Sequence, residues 1–216
     1  DGAWNGWEAA PAIAFGREDD QIVKGLGTKP DVRYKGPDDI AGEFRLMWDE
    51  QYLYLGVAAS DNSFFPQPER GMQGFTGDSI EFAVQPDNRH DMQAPYWEYE
   101  LYLPGGQPPY AASRRLPPPP AMMTAWQAAV KPTGKRGGCV YQAAIPWRDL
   151  GVARAEVGKT IAFALVLNDA DEGQRLSGDR VRAKWFDGID TAKSPEKFGT
   201  VTLVELAWAT APADPN

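Results

Sequence analysis

Hydrophobic and polar residues alternate along most of the chain, which is the pattern of β-strands with one buried face. Asp49 and Glu50 separate two such runs and predict the turn of a hairpin. Helical periodicity is weak, and only 147–150 is predicted to form a short helical turn. The alternation predicts seven strands: 44–48, 52–57, 79–84, 96–103, 140–145, 161–167 and 198–206. We therefore predict an all-β protein, an antiparallel β-sandwich of the jelly-roll or immunoglobulin-like two-sheet type with long loops.

The length of 216 residues suits one such sandwich. Segment 116–121 contains four consecutive prolines and is stiff enough to act as a linker. Because strands with matching alternation are predicted on both sides of it, we predict a single domain over 1–216.

Charge and residue counts narrow the function. The net charge of −8 argues against nucleic acid and anionic membrane as partners, because both require a basic surface. A single cysteine, Cys139, excludes an internal disulfide, and a single histidine, His90, excludes a His-rich zinc site. The chain starts at Asp1 without a signal peptide, as a processed chain would. We expect a monomer.

Eight tryptophans exceed what a core of this size needs. Flat, half-exposed aromatic rings are typical of a binding face. This surplus therefore favours a binding protein.

Six motifs resemble, in order, those of family 9 of the carbohydrate-binding modules, which is related to the DOMON sandwich domains. They are residues 1–7, 48–55, 77–82, 144–147, 168–169 and 195–199. The resemblance implies a β-sandwich that binds a short glycan or a polysaccharide chain end without catalysis. It also implies a secreted or periplasmic module that brings an attached or associated enzyme to its substrate.

The resemblance further implies where the sugar binds. Two aromatic rings sandwich a terminal sugar in the family, and the matching positions are Phe75 and Trp185, although Trp185 could instead anchor its loop in the core. Glu81 matches a carboxylate that holds sugar hydroxyls, or else is a solvated residue on a sheet face. Glu100 and Tyr102 stand where the family has arginine and asparagine, so recognition of a reducing end is in doubt. The carbohydrate-binding residues expected on these grounds are Trp185, Phe75, Glu81, Glu100, Tyr102 and Asn168.

The run 168–173 partly resembles a calcium loop, but it lacks the distal glutamate, and a hairpin turn is the alternative interpretation. The family resemblance nevertheless implies a structural calcium ion. Asp1, Asp49 and Asp61 are candidate ligands, and the sequence does not assign them.

An enzyme is not predicted. A glycosidase needs two carboxylates facing each other across a cleft. Asp78 and Glu81 are three residues apart on one strand and therefore point to opposite faces. Glu98 and Glu100 share a face but have no facing partner.

Two binding functions compete with sugar binding. A periplasmic haem b carrier would need a methionine paired with a lysine or with His90. The available methionines are Met47, Met72, Met92, Met122 and Met123. A protein-interaction sandwich is the second alternative, because exposed aromatic residues also serve protein partners.

Overall fold

The chain forms two β-sheets and short 3-10 turns. The computed structural model describes residues 6–24, 34–66, 74–105, 108–113, 125–133, 137–171, 180–190 and 192–205. Within these ranges there are twelve strands and four one-turn 3-10 helices. None of the helices in these ranges could cross a bilayer, since each is a single turn.

Both sheets are antiparallel throughout the described pairings. The smaller sheet has the order β1 (Ile13–Phe15), β3 (Ile40–Trp48), β4 (Tyr52–Asp61), β9 (Cys139–Pro146), β8 (Gln127–Pro132). The larger sheet has the order β2 (Ile22–Lys24), β11 (Val181–Trp185), β10 (Thr160–Asp169), β5 (Ser79–Gln85), β6 (Trp97–Tyr102), β7 (Tyr110–Ser113), and β12 (Gly199–Thr202) pairs with β10. The predicted two-sheet antiparallel sandwich is confirmed.

Aromatic rings from both sheets meet in the core. Phe44 of β3 is fully buried, and its ring centroid lies 5.9 Å from that of Phe163 on β10 and 5.0 Å from that of Trp185 on β11. Phe15 of β1 packs edge-on against Phe44 at 6.1 Å. Phe44 therefore joins the two layers.

The seven predicted strands are all present, and the hairpin is confirmed. Asp49 Oδ1 accepts hydrogen bonds from the backbone N–H groups of Gln51 and Tyr52, both at 2.7 Å. The last predicted strand is shorter than expected, at Gly199–Thr202. The turn predicted at 147–150 is a 3-10 helix, ended by Gly151 with a φ of 71°.

Five strands were not predicted: β1, β2, β7, β8 and β11. They contain three to six residues each. Four of them are edge strands and β11 lies next to an edge strand. Burial does not force alternation at an edge; β8, for example, is exposed at most of its positions.

The larger sheet is buried on both faces at its centre. Every residue of β5 is buried, and so is every residue of β10 after Thr160. One face belongs to the core. The other, called here the outer face of the larger sheet, is covered by the 3-10 turn Gly74–Thr76 and by residues of 186–198. These covers position the candidate site.

Replacing Phe44 by alanine should lower the free energy of unfolding by about 3–5 kcal/mol, because it leaves a cavity between the two sheets. Urea denaturation followed by tryptophan fluorescence measures this. Val157→Ala is the control; Val157 is 61% exposed, and the change should be within about 0.5 kcal/mol. Equal effects of the two changes would contradict the assignment of Phe44 to the core.

Candidate functional site

Polar side chains form a buried layer on the outer face of the larger sheet. Cα pairing places Asn168 of β10 between Arg182 of β11 and Ser79 of β5. Ser79 in turn pairs with Tyr102 of β6, and Glu81 pairs with Glu100. We call these six residues the polar layer: Ser79, Glu81, Glu100, Tyr102, Asn168 and Arg182. All six are at least 95% buried.

Asn168 is the centre of the polar layer. Its Nδ2 donates to Glu81 Oε1 at 3.0 Å and lies 3.1 Å from Ser79 Oγ. Its Oδ1 is also buried but has no hydrogen-bond partner among the described residues. A buried acceptor without a donor costs about 1–3 kcal/mol, so such an atom is typical of a site that is completed by a ligand.

The turn Gly74–Thr76 covers one end of the polar layer. The backbone N–H of Gly74 donates to Glu100 Oε1 at 3.3 Å. The Cα of Gly74 lies against the Tyr102 ring, where an added Cβ would come within 2.2 Å of Tyr102 Cδ1. Only glycine therefore allows this approach.

Phe75 is held at the rim of the same end. The Arg180 guanidinium donates through Nη1 to the carbonyl of Phe75, and its carbon lies 4.9 Å from the centroid of the Phe75 ring. Arg180 is 5% exposed, whereas Phe75 is only half-buried. The ring is thus fixed in place with one part open to solvent.

The segment 186–198 covers the other end. Lys193 Nζ donates to Glu98 Oε1 on β6 and to the carbonyl of Ile189 at 2.7 Å. Arg182 Nη1 donates to the carbonyl of Asp190 at 3.1 Å. These bonds tie the segment to the sheet beside the polar layer.

Trp185 lies on the opposite side of β11 from the polar layer. It pairs with Leu165, which faces the core, and its ring packs against Phe44 and Phe163. Its neighbour Phe186 is 49% exposed and contacts the Trp185 ring edge-on at 4.6 Å. The structure therefore groups Glu81, Glu100, Tyr102 and Asn168, places Phe75 at their rim, and separates Trp185 from them.

Sequence reasoning missed Arg180 and Arg182. The arginine that the family has on β6 is replaced here by Glu100, but β11 supplies a guanidinium two strands away from β5. Alternation of Arg182 and Lys184 with the apolar residues of 181–185 was the available signal, but these residues were interpreted as part of a loop.

Three carboxylates form a second buried cluster, between the sheets. Asp61 ends β4 of the smaller sheet, Asp78 precedes β5, and Asp169 ends β10. One oxygen from each lies within 4.8 Å of the others, and the residues are 8%, 2% and 3% exposed. Asp78 Oδ1 accepts from the N–H of Ala170 at 2.9 Å, and Asp61 Oδ1 accepts from that of Ser63 at 2.6 Å. Asp169 Oδ1 has no hydrogen-bond partner among the described residues.

Burial raises the pKa of all three carboxyl groups, and mutual repulsion adds to the effect. The pKa of Asp61 rises to about 7, and those of Asp78 and Asp169 rise to about 9. Asp39 and Asp171 add negative charge nearby, whereas Lys35 lowers the pKa of Asp169. The cluster therefore favours either bound protons or a bound cation.

The other candidate groups are arranged without a common centre. Glu98 and Glu100 share a face of β6, and both are buried. Glu98 accepts a hydrogen bond from Lys193, and Glu100 accepts one from the backbone N–H of Gly74. Met47 lies on β3 of the smaller sheet, whereas the His90 ring contacts Thr200 on β12 of the larger sheet. That pair of haem ligands is not brought together. Asp1, Met72, Met122, Met123 and 172–173 lie outside the described residues.

Two antiparallel sheets packed face to face define the class of β-sandwich domains, which many unrelated proteins share. The family model described as "carbohydrate family 9 binding domain-like" matches residues 29–206, and the chain belongs to that family. Its members are non-catalytic carbohydrate-binding modules, so the chain is not an enzyme.

Solved structures share the fold at low sequence identity. A family 9 carbohydrate-binding module from Caldicellulosiruptor kristjanssonii, in complex with cellotriose, aligns with a TM-score of 0.62 and 16% identity over 100% of this chain and 94% of that one. A family 9 module from the same organism, in complex with glucose, gives 0.61 and 16% over 94% and 89%. No curated protein sequence matches the chain.

Without divalent cations, the stability of the protein should fall as pH rises from about 5 to 8. Because Asp61, Asp78 and Asp169 have raised pKa values, the folded state binds more protons than the unfolded state from about pH 4 to pH 9. The free energy of unfolding then decreases with pH across this window. Urea denaturation in metal-free buffer measures the slope, and Asp169→Asn should make it shallower. A slope that is zero or positive would contradict the charged cluster.

Proposed function

We propose that the polar layer of the larger sheet is the carbohydrate site and that it holds the end of a glycan chain. The buried Oδ1 of Asn168 carries this proposal, since it is an acceptor that lacks a donor in the described residues. A sugar hydroxyl is a donor of the required kind, and it also accepts hydrogen bonds from its neighbours.

The chemistry of the surrounding groups fits a ring of hydroxyls. Glu81 supplies carboxylate oxygens that accept charge-assisted hydrogen bonds. Arg182 supplies donors on the other side of Asn168, since it pairs with Asn168 across β10 and β11. Phe75 offers a fixed, half-exposed ring at the rim, against which the C–H face of a sugar can pack.

Burial supports recognition of a chain end. Because these residues are 95–100% buried, a sugar would have to displace part of the two covers to reach them, and the end of a chain needs a smaller opening than its middle. The related modules were solved with cellotriose and with glucose, which favours a glucose-containing glycan.

The setting of the domain follows from its ligand. Polysaccharides are met outside the cytoplasm, so we propose a secreted or periplasmic protein that concentrates an attached or associated enzyme on its substrate. A few hydrogen bonds and one aromatic contact support a weak affinity, from about micromolar to millimolar.

Glu81→Gln should weaken binding of glucose and cello-oligosaccharides by about tenfold or more, because it removes a charged acceptor worth about 1.5–3 kcal/mol. Phe75→Ala should weaken it by about 3- to 10-fold through lost ring contact. Isothermal titration calorimetry measures both.

Glu156→Gln is the matched control, since Glu156 is 59% exposed and precedes the first residue of β10, whereas Asn168 lies near the other end of that strand. Thermal unfolding of each variant separates loss of binding from loss of folding. Wild-type affinity in a folded Glu81→Gln protein would show that the sugar site lies elsewhere. If Trp185→Ala is the only folded variant that loses sugar binding, the sugar site lies at Trp185.

We further propose that a structural calcium ion binds between Asp61, Asp78 and Asp169. Calcium takes six to eight oxygen ligands, and carboxylates are its usual protein donors. The three residues suit a calcium ion because their oxygens are buried and converge within 4.8 Å. One of these oxygens, Asp169 Oδ1, has no hydrogen-bond partner among the described residues. A bound cation would offset their repulsion and join β4 of the smaller sheet to β5 and β10 of the larger.

Calcium should raise the melting temperature of the chelator-treated protein, because a ligand of the folded state stabilises it by about 2.7 kcal/mol at a concentration of 100 Kd. Differential scanning calorimetry with and without Ca²⁺ measures the shift. Asp169→Asn should remove the calcium response, and Asp20→Asn, at an exposed position, should keep it. No calcium response in the wild-type protein would overturn the assignment.

A further inference from the structure

The outer face of the smaller sheet carries a groove along β4 and β9. A cavity of about 220 Å³ opens beside Tyr54, and its other lining side chains include Trp7, Gln127 and Gln142. A second cavity, of about 590 Å³, opens beside Tyr52. Tyr52 and Tyr54 are two residues apart on β4, which is about 7 Å, and the second cavity is otherwise lined mainly by turn residues such as Glu50, Trp147 and Arg148. We call the two together the sheet groove.

Small residues form the floor of the sheet groove. Tyr54 pairs with Ala144 of β9, which pairs with Gln127 of β8. Two residues away on β9, Gln142 pairs with Gly56 of β4 on one side and with Ala129 of β8 on the other. Larger side chains at Gly56, Ala129 and Ala144 would fill the cavity beside Tyr54. Because these residues are small, the cavity stays open between the glutamines and the aromatic rings.

Tyr54 is held in one orientation. Its hydroxyl donates to Asp49 Oδ2 at 2.6 Å, and this carboxylate together with burial raises the pKa of Tyr54 to about 12. Its ring lies 6.0 Å from the Tyr52 ring, with an angle of 40° between their planes. Fixed aromatic rings lose little entropy when a ligand packs against them.

Trp7 is fixed at the opposite wall. Arg45 of β3 donates through Nη1 to the carbonyl of Trp7 at 3.0 Å and to that of Ala10 at 2.8 Å. These bonds tie the segment 7–10 onto the outer face of the sheet. Trp7 is consequently 9% exposed and borders the cavity beside Tyr54.

The chemistry of the smaller cavity is that of a neutral sugar site, because the residues that line it carry no charge. Gln127 provides a planar amide that can donate to and accept from hydroxyls, while the rings can face the C–H patches between them. A charged ligand would find no counter-charge in this smaller cavity, whereas Glu50 and Arg148 line the larger one.

We propose that the sheet groove is a second carbohydrate-binding surface, which takes the middle of a neutral glycan chain. It runs along the strands and is open, in contrast to the buried polar layer, so a chain can pass through it. The inference rests on the proposed function only for the class of ligand, since its residues belong to the other sheet. Two sites on opposite outer faces would give avidity on a polysaccharide.

The test compares a soluble β-glucan polysaccharide with glucose, using affinity gel electrophoresis for the first and calorimetry for the second. Tyr54→Ala and Gln127→Ala should each weaken polysaccharide binding by about 3- to 10-fold and leave glucose binding unchanged. Tyr54→Phe keeps the ring and should bind nearly as well as wild type. Lys131→Ala is the control, since Lys131 is exposed on β8, faces the same side as Gln127, and lies beyond the groove.

The outcomes separate the two sites. If Glu81→Gln abolishes polysaccharide binding and neither Tyr54→Ala nor Gln127→Ala affects it, the second site is overturned and the first remains. If the protein binds the polysaccharide but not glucose, and Gln127→Ala weakens polysaccharide binding, the second site is supported and the proposed function is overturned. A change in oligomeric state of Gln127→Ala, measured by light scattering, without a change in polysaccharide binding would make the groove a protein interface and overturn the inference.

Discussion

Burial of both faces of β5 and β10 is the constraint on which the rest of the structure depends. On the inner face, apolar side chains from these strands meet those of the smaller sheet around Phe44. On the outer face, the same strands carry Glu81 and Asn168, which are buried as deeply as the core. Polar groups in such a place need partners, because an unmade hydrogen bond there costs free energy. The covering segments supply some partners, and a sugar would supply the rest.

The covers are positioned by a small number of contacts. Gly74 can approach the Tyr102 ring only because it lacks a Cβ, and its N–H reaches Glu100. At the other end, Lys193 links Glu98 to the carbonyl of Ile189. The site is thus defined as much by what lies over the sheet as by the sheet itself.

A second constraint acts where the two sheets join. The carboxylates of Asp61, Asp78 and Asp169 converge from both sheets, and burial together with mutual repulsion raises their pKa values. A cation at this junction would hold Asp78 only three residues from Phe75. The rim of the proposed sugar site and the junction between the sheets are therefore parts of one local structure.

The sequence by itself determined the strands that are long and face the core on one side. Runs such as those of β4 and β10 alternate or are continuously apolar because burial demands it, and family motifs identified the class. The alternation of β11 covers only five residues and was interpreted as a loop, so Arg182 was not placed in the site. Glu81, Glu100 and Asn168 lie together on the outer face of the larger sheet, and their role in sugar binding stays a prediction.

Only the tertiary structure decided which side chains actually meet. The sequence left Trp185 either beside the sugar or in the core. The register of β11 against β10 turns its ring toward Phe44, and one residue of register would have turned it outward. Asp61, Asp78 and Asp169 are separated by many residues, and no local pattern links them. Contacts between distant segments depend on the pairing and packing of the sheets, which short-range alternation does not encode.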